Sequence, residues 1–588
     1  MSFHTANPGT GLSPAKRWLT SLEAALAANS QAGLSALFSP DAYWRDLIAF
    51  TGSVITFSQA NAIAHCLHEK AHALGAVHFE ADEKFTAPAQ VMRGGKAFIE
   101  AFFRFETQLA FCKGIVRLEV LGNGEAASTA ANLFTCVDQL KAHPETVDRL
   151  RPDGQAYSRD FTGPNWLDLR QLDAAYRERD PEVLVVGMGQ AGLATAARLR
   201  QLGVDTLVID RQQRVGDNWR KRYHALTLHN QVHVNHLPYM HFPPNWPRYI
   251  PKDKLANWFE SYADAMEINH WLETELVKAD YDTQSALWHV ELRQAGHATR
   301  RIKTRHIVMA NSTSGIPHVP SIPGMQHFGG KVLHSSQYDN AAVFKGQRVA
   351  VFGSGTSGHD IAQDLYSHGV DVAMVQRSPT LVVNIEPSAQ LPYELYNEGR
   401  CLEECDLIAA SMPLPLFEQA HKILARRSRE LDKDLLQKLE AVGFQVNHTY
   451  DKGWQFMYLE RGGGYYFNVG CSELIADKKI PVISFKDIAS FQADGMALVN
   501  GSSQQFDAMV LATGYKGQQQ SMENYFGAEV AQRVGAVWGF DMRRLELNNM
   551  WCQTPQPGLW FIAGSFAQSR IYSKYLALQI RQDLSAAV

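Results

Sequence analysis

Two glycine-rich segments of this chain have residue types and spacing suited to holding the phosphates of a dinucleotide. The first is Gly187-Met188-Gly189-Gln190-Ala191-Gly192, which follows the β-branched and apolar run 182–186 and precedes a helix-forming stretch. Its first glycine permits a tight turn, its second lets the backbone approach a pyrophosphate, and its third allows the helix to pack closely on the strand. The helix N-terminus adds free amides and a positive dipole. We therefore predict a nucleotide site at residues 187–192, which we call the first cradle, with Gln190 and Ala191 among its contacts.

The strand after this turn predicts which nucleotide is bound. Residues 204–209 form a second apolar run that ends in Asp210. A carboxylate about 20 residues after the glycines accepts hydrogen bonds from ribose hydroxyls and repels a 2′-phosphate. The first cradle thus favours FAD or NAD over NADP, and Asp210 and Arg211 are its candidate ribose-side contacts.

The same pattern recurs at residues 353–358, which we call the second cradle. It follows a predicted strand, Arg348–Phe352, and precedes a second helix-forming stretch. A second dinucleotide is implied, because the glycine spacing and the strand-turn-helix context are the same. Its predicted contacts are Gly353, Gly355, Thr356, Ser357 and Gly358.

The second cradle lacks an acid at the ribose position. Its second strand, 370–375, is followed by Gln376-Arg377-Ser378. The Arg377 guanidinium could hold a 2′-phosphate through two hydrogen bonds, with Ser378 or Thr380 adding a hydroxyl, which indicates NADPH. The alternative is that Arg377 only covers the sheet edge. A flavin beside a nicotinamide is the simplest use of two cradles, because hydride passes directly between them.

A third motif lies between the cradles. Residues 328–338, Phe-Gly-Gly-Lys-Val-Leu-His-Ser-Ser-Gln-Tyr, match the pattern FxGxxxHxxx(Y/F), the fingerprint of flavin-containing monooxygenases. Segments 215–220, 511–515 and 558–564 resemble the same family. The resemblance covers nearly everything from residue 180 to residue 580, and the chain is similar to the class B flavoprotein monooxygenases.

This resemblance implies a fold and a reaction. The fold is α/β, with a Rossmann-like nicotinamide domain inserted into a Rossmann-like FAD domain. In the family, NADPH reduces FAD, O₂ adds to give a C4a-(hydro)peroxyflavin, and one oxygen atom enters a small organic substrate without a metal. FAD contacts should therefore come from both ends of the enzyme region, and the candidates are Asn218, Trp219, Thr513, Gly514, Tyr515 and Gly564.

Three residues are candidates for catalysis. By register with an active-site asparagine of the family, the segment 226–231 places His229 at that position and Asn230 beside it. Either side chain could hydrogen-bond the flavin peroxide, and His229 is also a predicted flavin contact; the alternative is a wall residue without a chemical role. His334 of the fingerprint is the third candidate, with a structural role in nicotinamide positioning as its alternative.

Further features narrow the reaction within the family. The fingerprint ends in Tyr338-Asp339, as in flavin-containing monooxygenases, while an N-terminal extension and the pair Gly358-His359 resemble the bacterial type II branch. That branch is associated with Baeyer–Villiger oxidation of ketones and with tolerance of NADH as well as NADPH. We therefore expect ketone oxidation, with N- or S-oxygenation as a second outcome. The alternatives are oxidative decarboxylation of an arylpyruvate, as in auxin-forming relatives with the same Leu-x-Leu-His pattern, and a flavin reductase or sensor.

The chain is too long for one hydrophobic core, so we expect several domains. Its N-terminal part combines an early helix with later strands and resembles a cone-shaped, α+β SnoaL-like domain. A variable helical insert is expected from about residue 387 to residue 454. The predicted segments are 1–150 for the SnoaL-like domain, 151–178 for a linker, 179–325 and 501–588 for the FAD domain, and 326–500 for the nicotinamide domain with its insert.

Composition argues against several classes of partner. Of 588 residues, 20% are charged, and the formal net charge of -4 provides no basic surface for nucleic acid. Seven scattered cysteines suit reduced thiols better than disulfides or a zinc site. The N-terminus lacks a signal pattern, and no apolar stretch reaches the roughly 18 residues that span a bilayer. We expect a cytoplasmic homodimer without metal, membrane or nucleic-acid partners that acts on O₂ and a small molecule.

Overall fold

The structure of the chain is a computed structural model, which describes residues 13–121, 126–154, 157, 159–296, 299–397 and 399–586. These residues form two compact units. The first unit takes the chain up to residue 145 together with 399–420 and 541–546, and the second takes the remainder. No helix within the described ranges is long and apolar enough to cross a membrane.

The first unit is built on a sheet to which the described residues contribute seven strands. One neighbouring pair, Phe38–Leu47 with Ala126–Leu140, is parallel, and the other pairs are antiparallel. In sheet order, the strands are Val54–Ser58, Phe38–Leu47, Ala126–Leu140, Ala110–Val120, Lys96–Glu106 and Val77–Ala81, and Ala89–Arg93 also pairs with Lys96–Glu106. Its helices are Pro14–Ala27, Gln31–Ser35, Ala60–Ala73 and Leu402–Ala410.

The first helix of this unit illustrates how the sequence determines it. The Ser13 hydroxyl caps Pro14–Ala27 by accepting a hydrogen bond from the Lys16 N–H at 3.3 Å. Trp18, Leu22 and Leu26 recur at helical spacing and are buried on one face. The unit is thus an α+β domain, and its kinship with SnoaL-like cones stays a prediction.

Two segments from the predicted enzyme domains, 399–420 and 541–546, fold with this first unit. Arg45 holds Glu546 through two hydrogen bonds, Nε to Oε1 at 2.8 Å and Nη2 to Oε2 at 2.6 Å. Each of these side chains is only 7% exposed. Buried charges of this kind require such a partner. The domain boundaries predicted from the sequence therefore need correction at both segments.

A second buried arginine holds the other segment. Arg117 pairs with Glu100 at 2.7 Å and donates a hydrogen bond to the Ser411 hydroxyl at 2.6 Å. Burial alone would raise the pKa of Glu100, but Arg117 and Arg93 lower it to about 2. The glutamate therefore stays ionised and the buried charges compensate each other.

The second unit contains two parallel sheets of the Rossmann type. The central strand of the first sheet is Val183–Val186, which leads into the first cradle. Its last strand comes from the C-terminal part of the chain, as the resemblance implies. In sheet order, the strands are Asn269–Trp271, Thr206–Ile209, Val183–Val186, His306–Met309 and Leu559–Phe561. This is the order of a doubly wound nucleotide-binding domain.

The second sheet leads into the second cradle through Arg348–Phe352. Its strands, in sheet order, are Lys331–His334, Ala508–Leu511, Arg348–Phe352, Asp371–Gln376 and Val482–Ser484. The sequence predicts that residues from 501 onward belong to the FAD domain, but Ala508–Leu511 pairs within this second sheet. All four of its residues are buried, as expected for an inner parallel strand.

Helices and small sheets complete the second unit. The helix after the first cradle is Gln190–Gln201 and the helix after the second is Thr356–Ser367. The other α-helices are Trp166–Ala175, Asp217–Arg220, Lys252–Ala265, Lys433–Ala441, Gly453–Arg461, Cys471–Ala476, Gln519–Val534 and Phe566–Ala586, and the helix Leu414–Leu431 belongs to this unit from residue 421 onward. The small sheets join Thr274–Asp282 with Leu287–Gln294 and Arg300–Thr304, Ile488–Gln492 with Gly495–Leu498 and Ser503–Gln505, Ile316–Pro317 with Tyr515–Lys516, and Leu381–Asn384 with Tyr465–Asn468.

The predicted linker, 151–178, contains a helix, Trp166–Ala175. A capping box starts this helix, because Asn165 and Asp168 each accept the other's backbone N–H at 3.0 Å. Arg170 then donates to the backbone oxygen of Glu267 at 2.7 Å. The second half of the predicted linker therefore contains regular secondary structure.

We predict that Arg45→Met destabilises the first unit by about 3–5 kcal/mol, because it leaves the Glu546 carboxylate buried without a counter-charge. Urea unfolding followed by tryptophan fluorescence measures the change. Arg104→Met is the matched control, because its ion pair with Glu80 is solvent-exposed. Equal unfolding midpoints for Arg45→Met and the wild type would contradict the prediction.

Candidate active site

The first cradle excludes side chains at the positions where its pattern requires glycine. Gly187 has φ +108°, and a Cβ there would lie 2.7 Å from the Ala310 carbonyl oxygen. A Cβ on Gly192 would lie 1.9 Å from the Gly187 carbonyl oxygen. At Gly189 a Cβ would meet no atom closer than Asn218 Nδ2, at 3.3 Å. The backbone at Gly189 is thus open on the side where a pyrophosphate would approach.

Asp210 lies at the end of the neighbouring strand and contacts the turn directly. Its carboxylate accepts hydrogen bonds from the Met188 N–H at 2.7 Å and from the Gln212 N–H at 2.8 Å. Each oxygen retains a lone pair for a ribose hydroxyl. Arg211 is exposed and donates to the Gly315 carbonyl at 3.3 Å.

Two buried polar atoms beside the first cradle have no protein partner in the described residues. They are Asn218 Oδ1 and Trp219 Nε1. Buried polar atoms are normally hydrogen-bonded, so unpartnered ones indicate a missing ligand or water. Together with the open approach at Gly189 and the carboxylate of Asp210, they fit a bound dinucleotide.

The second cradle repeats this packing. Gly353 has φ +115°, and a Cβ there would lie 2.3 Å from the Ala512 carbonyl oxygen; a Cβ on Gly358 would lie 2.0 Å from the Gly353 oxygen. At Gly355 the nearest atom is the Tyr465 carbonyl oxygen, 3.8 Å away. The second cradle is therefore also open at its middle glycine. The remaining predicted contacts in the two cradles, Gln190, Ala191, Thr356 and Ser357, all lie in the first turn of their helices.

Arg377 is available for a phosphate. It is exposed just after the strand Asp371–Gln376, and within the described chain it forms no hydrogen bond or ion pair. Ser378 beside it is also exposed. Thr380 differs, because its hydroxyl shares a buried 2.6 Å hydrogen bond with Ser354. Of the two hydroxyls predicted beside the guanidinium, only Ser378 is free for the ligand.

A cleft of about 310 Å³ begins at the first cradle. Ligand sites commonly measure about 300–1,000 Å³, so this volume is in the range of a small-molecule site. Gln190, Trp219 and Gly564, which are predicted flavin contacts, line one side. None of the described lining residues is acidic, lysine or arginine.

His229 lines this cleft as an uncharged imidazole. Burial lowers its pKa to about 4, so the ring is neutral at pH 7. Neither ring nitrogen has a hydrogen-bond partner among the described residues. The ring is held edge-on to Phe467 at a centroid distance of 5.4 Å, and the backbone oxygen accepts from Gln390 Nε2 at 3.1 Å.

Asn230 also lines the cleft, but its amide is used within the protein. Its Nδ2 donates to the Tyr393 hydroxyl at 3.2 Å, and its backbone oxygen accepts from Asn235 Nδ2 at 3.0 Å. The structure therefore distinguishes the two neighbouring candidates. His229 has free ring nitrogens, whereas Asn230 orients a tyrosine.

The far wall of the cleft comes from the insert and from the strand Tyr465–Asn468. Most of its residues were not predicted as site residues from the sequence. Tyr393, Trp454 and Tyr458 line it. Tyr465, which follows three consecutive glycines, lines it as well. Tyr393 is 163 residues from Asn230 in sequence, so no local sequence pattern could have predicted that they are in contact.

His334 does not line the cleft, and both of its ring nitrogens are engaged. Its Nδ1 accepts the Ser336 N–H at 3.1 Å, which leaves the proton on Nε2 to be donated to the Gly514 oxygen at 3.0 Å. The Tyr515 ring contacts it edge-on at 5.4 Å. Thr513 donates to the His318 oxygen at 2.6 Å. These contacts favour the positioning role over the catalytic one.

His359, the residue after the second cradle, is completely buried. Its ring stacks on Tyr466 with centroids 3.8 Å apart and planes 7° apart. The adjacent Tyr465 accepts a hydrogen bond from Thr356 Oγ1 at 3.4 Å through its backbone oxygen. One short strand thus connects the second cradle to the cleft.

Comparison with known proteins identifies the family of the chain. Residues 180–432 match the model of the family described as flavin-binding monooxygenase-like. Probable indole-3-pyruvate monooxygenase YUCCA8 of Arabidopsis thaliana is 30% identical over 337 residues, which are 57% of this chain and 74% of that protein. The chain belongs to this family. The family predicted from the fingerprint is therefore confirmed, and the protein is a flavin-dependent monooxygenase.

Other similar proteins include a curated relative and solved structures. Probable indole-3-pyruvate monooxygenase YUCCA1 of Arabidopsis thaliana is 28% identical over 57% of this monooxygenase and 75% of its own length. Cyclohexanone monooxygenase with bound ε-caprolactone aligns with a TM-score of 0.52 and 16% identity, over 69% of this chain and 88% of that one. Oxidized steroid monooxygenase bound to NADP aligns with a TM-score of 0.50 and 16% identity, over 69% and 85%. At such low identity, the structural similarity shows the shared fold.

We predict that Gly189→Ala weakens flavin binding by at least about tenfold while the monooxygenase remains folded. The methyl group blocks the open approach at the turn, and one hydrogen bond to a charged group is worth about 1.5–3 kcal/mol. Flavin content per protein and equilibrium dialysis measure the effect. Gly355→Ala is the matched variant at the second cradle, for which we expect normal flavin content. Equal loss of flavin in both variants would contradict the assignment.

Proposed function

We propose that this monooxygenase carries out Baeyer–Villiger oxidation of small neutral ketones with FAD and NADPH. The overall reaction is ketone + O₂ + NADPH + H⁺ → ester or lactone + NADP⁺ + H₂O. We propose a neutral substrate because the described lining of the cleft has no acidic, lysine or arginine side chain. A neutral thioether would fit the same lining, so S-oxygenation is a side activity that we expect.

We assign one cofactor to each cradle. FAD belongs at the first, where Asp210 faces the ribose, and NADPH at the second, where Arg377 is free for the 2′-phosphate. When bound, the nicotinamide supplies a hydride and the flavin supplies activated oxygen. The role that we assign to His334 is to hold the fingerprint strand against Gly514.

The residues of the cleft supply hydrogen bonds and exclude water. His229 is neutral, so it can donate from one ring nitrogen and accept at the other without bringing a charge to the reacting atoms. The aromatic wall around Trp454 and Phe467 keeps the reacting oxygen away from bulk water, which would otherwise divert it to hydrogen peroxide.

A second candidate function is favoured by sequence similarity. The relatives named indole-3-pyruvate monooxygenases share 28–30% identity with this chain. Their named substrate carries a carboxylate, and a buried carboxylate needs a counter-charge or dedicated donors. The described lining of the cleft offers no arginine or lysine for that purpose. We therefore rank arylpyruvate decarboxylation second.

Product analysis under ¹⁸O₂ tests the proposal. The purified protein is incubated with NADPH and, separately, with cyclohexanone, methyl phenyl sulfide or indole-3-pyruvate. A lactone carrying one ¹⁸O atom supports the proposed reaction. Indole-3-acetate with release of CO₂, and no lactone, would replace it with the second candidate. Sulfoxide alone would restrict the enzyme to heteroatom oxidation.

We predict that Arg377→Gln lowers kcat/KM for NADPH by about tenfold to a hundredfold and leaves kcat/KM for NADH unchanged. A charge-assisted hydrogen bond to phosphate is worth about 1.5–3 kcal/mol, and NADH lacks the 2′-phosphate. Initial rates of nicotinamide oxidation measure both values. Arg377→Lys should retain part of the preference. Equal loss with both nucleotides would contradict the assignment.

We predict that His229→Phe lowers the product formed per NADPH by about tenfold, because the ring nitrogens are lost while the volume is retained. Parallel assays of lactone and hydrogen peroxide measure the coupling. His233→Phe, four residues further along the chain and outside the cleft lining, is the matched control. Unchanged coupling in His229→Phe would make this residue a wall residue only.

A further inference from the structure

The far wall of the cleft presents phenol hydroxyls to a space whose described lining has no acidic, lysine or arginine side chain. Tyr393 comes from the segment Ser388–Asn397, and Tyr465 opens the strand Tyr465–Asn468. Both line the cleft and both flank Trp454, at ring centroid distances of 5.9 Å and 5.7 Å. Elements far apart in sequence thus place two tyrosine rings beside one indole.

The Tyr393 hydroxyl is oriented by its neighbours. Its oxygen accepts a hydrogen bond from Asn230 Nδ2 at 3.2 Å, and the side chain of Gln455 also hydrogen-bonds it. A phenol oxygen that accepts from amides keeps its own O–H for a further acceptor. Asn230 follows His229 in sequence, so this proton is offered close to the candidate catalytic histidine.

The Tyr465 hydroxyl has no hydrogen-bond partner among the described residues. Its ring is fixed nevertheless, because Phe467 packs against it at 5.0 Å and its backbone oxygen is bound by Thr356. A hydroxyl held in an apolar wall without an acceptor is unfavourable, and a ligand oxygen would supply the acceptor.

We propose that the hydroxyls of Tyr393 and Tyr465 bind the carbonyl oxygen of the ketone and turn its carbonyl carbon towards the first-cradle side of the cleft. A carbonyl oxygen has two lone pairs and accepts from both donors. A thioether offers only a weak acceptor, so the pair selects ketones over thioethers. Asn230 is then a positioning residue, which acts through Tyr393. This inference rests on the proposed ketone oxidation.

The test compares cyclohexanone with methyl phenyl sulfide in Tyr393→Phe, Tyr465→Phe and the double variant. For each single variant, we expect kcat/KM for the ketone to fall about threefold to tenfold, the range for one net hydrogen bond, with the sulfide unchanged within about twofold. Tyr396→Phe is the matched control, because it removes a hydroxyl from the same segment outside the cleft lining. Flavin content confirms that every variant is folded.

A second measurement separates orientation from general packing. Asn230→Ala should lower ketone kcat/KM in the wild type and have no further effect in Tyr393→Phe, because Asn230 acts through that hydroxyl. The inference is overturned if the double tyrosine variant retains ketone kcat/KM, or if ketone and sulfide fall equally. Wild-type protein that oxidises the sulfide but no ketone would instead remove the proposed function.

Discussion

Each glycine turn is closed by a contact that leaves no room for a methyl group. A side chain on Gly192 or Gly358 would begin 1.9 Å or 2.0 Å from the carbonyl oxygen of the first glycine in its turn. The helix that follows each turn is therefore held close to the sheet, and this contact also fixes the positions of the helix residues. On the second helix, His359 stacks on Tyr466, and the neighbouring residue, Tyr465, faces the cleft. The close contact at Gly358 thus fixes the helix whose His359 packs on the strand that lines the cleft.

The predictions of the nucleotide sites rest on local signals. The cradles, Asp210 and Arg377 each belong to a strand-turn-helix unit whose residues are neighbours in sequence. The structure places Asp210 against its turn and leaves Arg377 free, and the strand Arg348–Phe352 lies where it was predicted. The fingerprint added the family. Its histidine, however, was ambiguous until both ring nitrogens were seen to be engaged.

The substrate wall could not be predicted, because contacts between distant segments produce it. The hydrogen bond between Asn230 and Tyr393 joins residues 163 positions apart, and no periodicity marks either partner. The same reason explains the sheet assignment of Ala508–Leu511 and the inclusion of 541–546 in the first unit. The helix Trp166–Ala175 was a different kind of miss, because its Asn-x-x-Asp capping box was present in the sequence.

Protein synthesis proceeds from the N-terminus, and domains generally fold as units while the chain emerges. The first unit departs from that order. Arg117 meets Ser411 across 294 positions, and Arg45 meets Glu546 across 501. Until those residues leave the ribosome, Arg45 lacks its carboxylate partner, and Arg117, which already has Glu100, lacks the Ser411 hydroxyl. The part of the chain that is translated first is thus among the last to complete its native structure.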